Sequence, residues 1–178
     1  PAASLQPIRE GTDWIFVLDI SGSMGGDKIA TLANGVTRVI GSMSPQDRFR
    51  VVTFNNHARD FTGGFVPATP ANVAQWTERV KNIQANGGTA LYAGLKKAYR
   101  GLDEDRTVGI ILVTDGVCNV GPTQHAAFLD LLQDTDIRLF TFVMGNSANR
   151  PLMERMAQES GGFAMNISTS DDIVGRLV

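Results

Sequence analysis

Three uninterrupted apolar runs constrain the fold of this chain most strongly. They are WIFVLDI at 14–20, VGIILVTDG at 108–116 and IRLFTFVMG at 137–145. Runs of β-branched and aromatic residues without polar alternation are typical of strands that are buried on both faces, as in a parallel sheet. Because both faces of such a sheet must be covered, the runs predict helices on either side of it.

Three further segments complete the predicted sheet. RFRVVTFN at 48–55 is a fourth strand, and GGFAMNI at 161–167 is a short sixth one. Between them, HARDFTG at 57–63 follows the fourth strand after a very short connection, which permits only an antiparallel hairpin. We therefore expect 57–63 to be an antiparallel edge strand.

Apolar residues recur at three- and four-residue steps between these strands and predict six helices. The helices are expected near 29–43, 73–83, 91–102, 128–132, 152–156 and 173–177. The second begins with Thr69 as N-cap and Pro70 as its first residue. Alternating strands and helices imply right-handed crossovers. The expected fold is therefore α/β: a doubly wound, mostly parallel, Rossmann-like sheet with helices on both faces, in one domain over 1–178.

Composition argues against several classes of partner. The net charge of −2 and the pI near 5.6 lack the basic character of proteins that bind nucleic acid or anionic membranes. No apolar run reaches the roughly 18 residues of a membrane span. Cys118, the only cysteine, cannot form an internal disulfide. Since the sequence starts at Pro1 without a methionine, we expect it to be a piece of a longer protein. We expect the domain to be monomeric, and its localisation stays open, with an extracytoplasmic or membrane-anchored parent protein favoured.

Polar residues follow the apolar strands at their carboxyl ends. Asp19 ends the first strand, Ser21 and Ser23 come directly after it, and Asp115 ends the strand at 108–116. In doubly wound folds, ligands bind beyond the carboxyl ends of the strands. If the two strands are neighbours, their carboxylates repel each other, and a divalent cation between them removes that repulsion. Hydroxyl oxygens suit Mg²⁺ or Mn²⁺ as ligands, and the two serines can point the same way in an extended loop.

A third polar segment, NGGTAL at 86–91, leads into a predicted helix. Its two glycines free the backbone, and Thr89 stands at the entrance of the helix. Two interpretations of Thr89 are open: another hydroxyl ligand, or a plain helix N-cap.

Taken together, DISGSM, GGTAL and VTDG, in that order, resemble the von Willebrand factor A (VWA) domain. They match its metal-ion-dependent adhesion site, a D-x-S-x-S motif with a distant Thr and Asp. The resemblance covers essentially the whole chain. The segment at 144–167 is most similar to bacterial members and to the heavy chains of inter-alpha-trypsin inhibitor.

The resemblance implies a role for each motif residue. Ser21 and Ser23 would coordinate Mg²⁺ or Mn²⁺ directly, and Thr89 would do so when a ligand is bound and through water otherwise. Asp19 and Asp115 would act through water and by hydrogen-bonding the serines. A partner protein would donate an Asp or Glu carboxylate to the remaining position. The implied function is metal-dependent adhesion or protein interaction, without catalysis.

The alternative is a Mg-dependent phosphoryl-transfer or phosphatase-like enzyme that uses Asp19 as nucleophile. Haloacid-dehalogenase-like phosphatases need a second carboxylate two residues later, where this chain has Ser21. GSMGGDKI at 22–29 is also close to a P-loop, but Asp27 replaces the glycine before Lys28, and Ile29 replaces the metal-binding Ser or Thr. The G-x-S-x-G motif of serine hydrolases is absent.

Overall fold

The computed structural model describes residues 11–100, 102, 106–115, 130, 137–144, 154–156, 158 and 162–167. Within these residues the strands are β1 (Asp13–Asp19), β2 (Arg48–Phe54), β3 (Ala58–Asp60), β4 (Val66–Pro67), β5 (Val108–Thr114), β6 (Arg138–Met144) and β7 (Phe163–Ile167). They form one sheet in the order β3-β2-β1-β5-β6-β7, and β4 pairs with β2.

The directions of the strands confirm the predicted fold class. The neighbours from β2 to β7 run parallel, whereas β3 and β4 are antiparallel to β2. The expected edge strand at 57–63 is shorter than predicted, because the chain turns at Gly63 and Gly64, both with positive φ. After that turn, Val66 pairs with Phe49. β4 was not predicted, since two residues that include a proline carry no periodic pattern.

Helices cover both faces of the sheet, as predicted. The bounds are Asp27–Gly41 for α1, Pro70–Lys81 for α2 and Leu91–Ala98 for α3. Phe16 and Leu18 of β1 belong to the core under α1 and α2, whereas Ile15 and Val17 belong to the core under α3. This division follows from the alternation of side chains along a strand.

The details of the helices agree in part with the pattern. Thr69 is the N-cap of α2 and accepts a hydrogen bond from the backbone N–H of Asn72, with Pro70 as first helical residue. α3 ends at Ala98, earlier than the predicted 102. Of the helix predicted near 128–132 only Asp130 is described, and it is helical; of the helix predicted near 152–156, residues 154–156 are described, and they are helical. The helix predicted near 173–177 and Cys118 lie outside the described residues. Among the described helices, none has the length and apolar character needed to span a membrane.

A buried acid anchors the amino end of β1. Asp13 is fully buried and receives two hydrogen bonds from Arg48, one of them 2.8 Å from Nε to Oδ1. Arg106 donates a third, 2.5 Å from Nε to Oδ1. Two guanidinium groups therefore neutralise this carboxylate at the edge of the sheet that lies opposite the motif residues.

Candidate metal site

The strand register brings the two predicted aspartates to one edge of the sheet. β1 and β5 are parallel neighbours, with Leu18 opposite Val113, so Asp19, which ends β1, and Asp115, which follows β5, lie at the same edge of the sheet. The hydroxyl of Thr114 donates a hydrogen bond of 2.7 Å to Asp19 Oδ2 across this pair. The chain leaves β1 towards β2 on one side, while β5 lies on the other. The residues therefore lie where the strand order reverses, the usual place for ligands in such sheets.

The serines converge on the first aspartate. Asp19 Oδ1 accepts hydrogen bonds from the backbone N–H of Ser21, at 2.9 Å, and from its hydroxyl, at 2.5 Å. Ser21 Oγ and Ser23 Oγ are 3.1 Å apart. Because each hydroxyl has one hydrogen and Ser21 gives its own to Asp19, Ser23 is the donor in this contact. Each serine oxygen then keeps at least one lone pair for a cation.

The backbone that brings the serines together differs from the expectation. Gly22–Met24 forms a 3-10 turn, and only Ser21 before it is extended. The two hydroxyls therefore meet because the chain coils tightly after Ser21. The predicted extended loop, in which both serines would point the same way, is not present here. Ser21 is buried, whereas Ser23 is exposed, so the pair leads from the interior to the surface.

Backbone hydrogen bonds hold the third motif segment against this turn. Gly22 N–H donates to the carbonyl of Gly87 at 2.8 Å, and Asn86 N–H donates to that of Ile20 at 2.8 Å. Gly87 has a φ of +80°, in the left-handed region that favours glycine. The motif segments at 19–24 and 86–91 are therefore connected directly through their backbones.

Thr89 lies in this third segment and is buried, with 2% of its surface exposed. The N-cap of α3 is Ala90, and it makes no side-chain capping bond. Ala90 N–H donates instead to the carbonyl of Asn55, at 2.6 Å. Ala90 therefore occupies the N-cap position of α3, and the interpretation of Thr89 as a plain N-cap is wrong.

The electrostatics of the site are unusual for a protein interior. Asp19 is fully buried and Asp115 is 2% exposed. Burial raises the pKa of Asp19; the hydrogen bonds from Ser21 and Thr114 oppose this change, and the charge of Asp115 adds to it. Lys28 Nζ lies 3.8 Å from Asp115 Oδ2, and the lysine side chain is 39% exposed. A half-exposed ammonium at this distance compensates two buried carboxylates only weakly.

The aspartates at the two ends of β1 differ in how their charges are compensated. Asp13 and Asp19 are both fully buried, but two arginines neutralise Asp13, whereas Asp19 is bonded by neutral donors only. Within the described part of the chain, no arginine or lysine pairs with Asp19. A buried carboxylate without a cationic partner is costly. The chemistry of this donor set therefore fits a divalent cation that binds hard oxygen ligands.

Several residues of the site were not singled out as site residues from the sequence. Thr114 supports Asp19, Lys28 lies near Asp115, and Asn56 holds the third segment by accepting a bond from Gly88 N–H at 2.7 Å. A hydroxyl residue at the end of an apolar strand was a usable signal for Thr114. Among the described residues there is no group of three or more His, Cys, Asp or Glu, so a cation here would rely on serine and threonine hydroxyls as well.

The family follows from comparison with known proteins. The sequence model of the von Willebrand factor type A domain matches residues 13–176 of this chain. The chain belongs to the von Willebrand factor type A family. The match confirms the family that the motifs indicated, and it extends over nearly the whole chain.

The curated relatives of this VWA domain include heavy chains of inter-alpha-trypsin inhibitor. It is 31% identical to mouse heavy chain 4, over 89% of this chain and 18% of that protein. It is 28% identical to human heavy chain H2, over 98% of this chain and 20% of that protein. The VWA domain thus spans about a fifth of the length of these relatives.

Solved structures show the same fold. A von Willebrand factor type A protein from Catenulispora acidiphila matches 94% of this VWA domain, and 41% of that chain is covered, with a TM-score of 0.82 and 21% identity. Proximal thread matrix protein 1 from the mussel byssus matches with a TM-score of 0.73 and 19% identity, over 94% of this domain and 44% of that chain. The mussel structure has a zinc-occupied metal-ion-dependent adhesion site.

Proposed function

We propose that this VWA domain is a metal-dependent protein-binding module. It would hold one Mg²⁺ or Mn²⁺ through Ser21, Ser23 and Thr89, with Asp19 and Asp115 behind them. The observation that carries the proposal is the fully buried Asp19, whose bonded partners are all neutral. VWA domains are commonly metal-dependent interaction modules, and the zinc site of the mussel protein supports a cation at this motif.

The ligand set determines what such a site can bind. A bound divalent cation would supply a hard positive charge that hydroxyl oxygens leave largely unneutralised. The chain's own residues orient those hydroxyls: Asp19 accepts a hydrogen bond from the hydroxyl of Ser21, and Ser21 accepts one from the hydroxyl of Ser23. An oxyanion is the ligand that completes this environment best. We infer that a partner protein supplies it as an Asp or Glu carboxylate at the exposed Ser23 side.

The enzymatic alternative has little support in this geometry. A nucleophilic Asp19 would need a carboxylate oxygen that faces the substrate. Oδ1 already accepts two hydrogen bonds and Oδ2 accepts a third, and the residue is fully buried. We therefore infer binding without catalysis. The domain would perform it as a single monomeric unit over 1–178 of a longer protein.

Metal binding is tested by titrating Mn²⁺ into the metal-free domain in a calorimeter. Asp19→Ala should abolish the binding heat while the circular dichroism spectrum stays native. Unchanged Mn²⁺ affinity in Asp19→Ala would refute the assignment. Thr77→Ala is a matched control, because Thr77 bonds only backbone carbonyls within α2.

Partner binding is tested by pull-down from the native source, with and without EDTA. Captured partners should be lost on chelation, and Ca²⁺ should restore them less well than Mg²⁺ or Mn²⁺, since it prefers more ligands at longer distances. Thr89→Ala should weaken partner binding more than Mn²⁺ binding. If every captured partner survives EDTA, the metal does not mediate binding and the proposal fails.

A further inference from the structure

A groove of about 440 Å³ lies beside the candidate metal site, between the β2–β3 hairpin and the loop after α2. We call it the side groove. The lining residues used below are Asn55, His57, Arg59, Phe61, Ile83 and Asn86. Within the described part of the chain, none of its lining residues is acidic.

The side groove is continuous with the candidate metal site. Its wall contains Asn55 and Asn86, whose side chains are joined by a hydrogen bond of 2.9 Å. Asn86 also donates its backbone N–H to the carbonyl of Ile20, and it directly precedes Gly87, which is bonded to the serine turn. One wall thus consists of residues that hold the Thr89 segment in place. A chain bound at the metal can continue into the groove.

The charge of the side groove favours an acidic ligand. His57 and Arg59 are both exposed. The guanidinium of Arg59 lies 6.0 Å from the ring centroid of Phe61, and among the described residues it has no carboxylate partner. On the neighbouring strand, in contrast, Arg48 pairs with Asp13 and Arg50 with Asp60. Arg59 is therefore an available cation that a partner's carboxylate can pair with.

The floor of the side groove is apolar. Phe61 is half-buried and makes an edge contact with Trp76, with ring centroids 5.9 Å apart. Ile83 is also half-buried and packs at the margin of the same core. These residues offer an apolar surface beside Arg59 for one side chain of a bound segment.

The sheet register gives the backbone separation between Arg59 and the carboxyl end of β1. Arg59 lies opposite Thr53, and Thr53 lies opposite Leu18, the residue before Asp19. Two strand spacings correspond to about 10 Å. An extended peptide advances roughly 3.3 Å per residue, so this distance corresponds to about three residues.

We propose that the side groove binds the same partner segment whose carboxylate reaches the metal. That segment is extended, and a second acidic residue three or four positions away pairs with Arg59. An apolar residue next to that second acid packs on Phe61 and Ile83. This inference rests on the proposed function, because it assumes that a carboxylate occupies the metal position.

Fluorescein-labelled peptides test the inference by anisotropy in Mn²⁺ and in EDTA. One set has a single aspartate in a Gly-Ser background. A second set adds a leucine and then a glutamate, with the glutamate two to six positions from the aspartate. We expect the tightest Mn²⁺-dependent binding when the two acids are three or four positions apart. Arg59→Gln should weaken that binding about fivefold and leave the single-acid peptides unchanged.

Arg79→Gln is the matched control, since Arg79 is also exposed and stacks on an aromatic ring, 4.6 Å from the centroid of Trp76, outside the groove. Equal binding of single- and double-acid peptides, or no effect of Arg59→Gln, overturns the groove and leaves the metal proposal standing. If no peptide binds in Mn²⁺ although the ion itself binds, the carboxylate-ligand proposal fails together with the groove.

Discussion

Replacement of Asp19 by asparagine tests the electrostatic basis of the site. Asparagine has nearly the shape of aspartate but no charge. Its oxygen can accept both bonds that Asp19 Oδ1 now accepts from Ser21. Its amide can donate to the hydroxyl of Thr114, which is the donor in the native protein. The variant therefore keeps the local hydrogen bonds and removes only the buried charge.

Without metal, we expect Asp19→Asn to be at least as stable as the native domain at neutral pH. Burial raises the pKa of Asp19 in the folded protein, so the folded state binds a proton more tightly than the unfolded chain does. Stability therefore falls as pH rises from the ordinary aspartate pKa through the raised one. Asparagine does not titrate, so its advantage should shrink as the pH falls through the raised pKa of Asp19 towards the ordinary aspartate value.

Mn²⁺ should reverse the order of stability and make the native domain more stable than Asp19→Asn. At a Mn²⁺ concentration 100 times its Kd, binding adds about 2.7 kcal/mol to the stability of the native domain. Asp19→Asn should gain almost nothing. The affinity of the native domain for Mn²⁺ should also fall about tenfold per pH unit below the raised pKa of Asp19, because the proton and the cation compete for the same carboxylate.

Asp19→Ala is the comparison that isolates the hydrogen bonds. It removes the charge and also the acceptor for Ser21 and Thr114. Buried donors without an acceptor cost about 1–3 kcal/mol, so the alanine variant should remain folded but be less stable than the asparagine variant by about that amount.

Urea denaturation, followed by the fluorescence of Trp14 and Trp76, measures all of these differences. The two tryptophans are partly buried and pack against the core under α1 and α2. Titrations in EDTA and in Mn²⁺, from pH 4.5 to 8, cover the interval of interest. The reasoning is refuted if Mn²⁺ stabilises Asp19→Asn as much as the native domain. It is also refuted if asparagine is as destabilising as alanine in EDTA.

Three other changes test separate parts of the structure. Lys28→Met should tighten Mn²⁺ binding a few-fold, because it removes a positive charge beside the site; weaker binding in calorimetry would contradict this, and Lys28→Arg is the charge-preserving control. Gly94→Ala should lower the free energy of unfolding by about 1–3 kcal/mol, since its Cβ would lie 2.6 Å from Phe54 Cδ1; Gly41→Ala, with no atom within 4 Å, should not destabilise in the same urea titration. Asp13→Asn breaks the ion pairs with two arginines and should lower the free energy of unfolding by about 3–5 kcal/mol. Asp13 lies at the end of β1 opposite the candidate metal site, so Mn²⁺ affinity should stay unchanged in calorimetry; a loss of affinity would contradict the independence of the two ends.

Much of the fold could be predicted because it depends on local patterns. The apolar runs around β1, β5 and β6 indicate strands buried on both faces, and Thr69 with Pro70 marks the start of α2 correctly. These signals arise among residues within a few positions of one another. β4 had no such signal, because its two residues are a strand only through their pairing with β2.

The sequence by itself determined which residues are available to the candidate site, and that its aspartates and serines lie at or just after the carboxyl ends of strands. Only the tertiary structure decided how they meet. Asp19 and Thr114 are separated by 95 residues and are bonded because β1 and β5 are neighbours. The serine hydroxyls meet through a 3-10 turn, and Thr89 lies before the N-cap, where backbone bonds to other loops hold its segment. Periodicity reports burial along one segment, whereas contacts between segments depend on strand order and register, which the packing of the whole sheet determines.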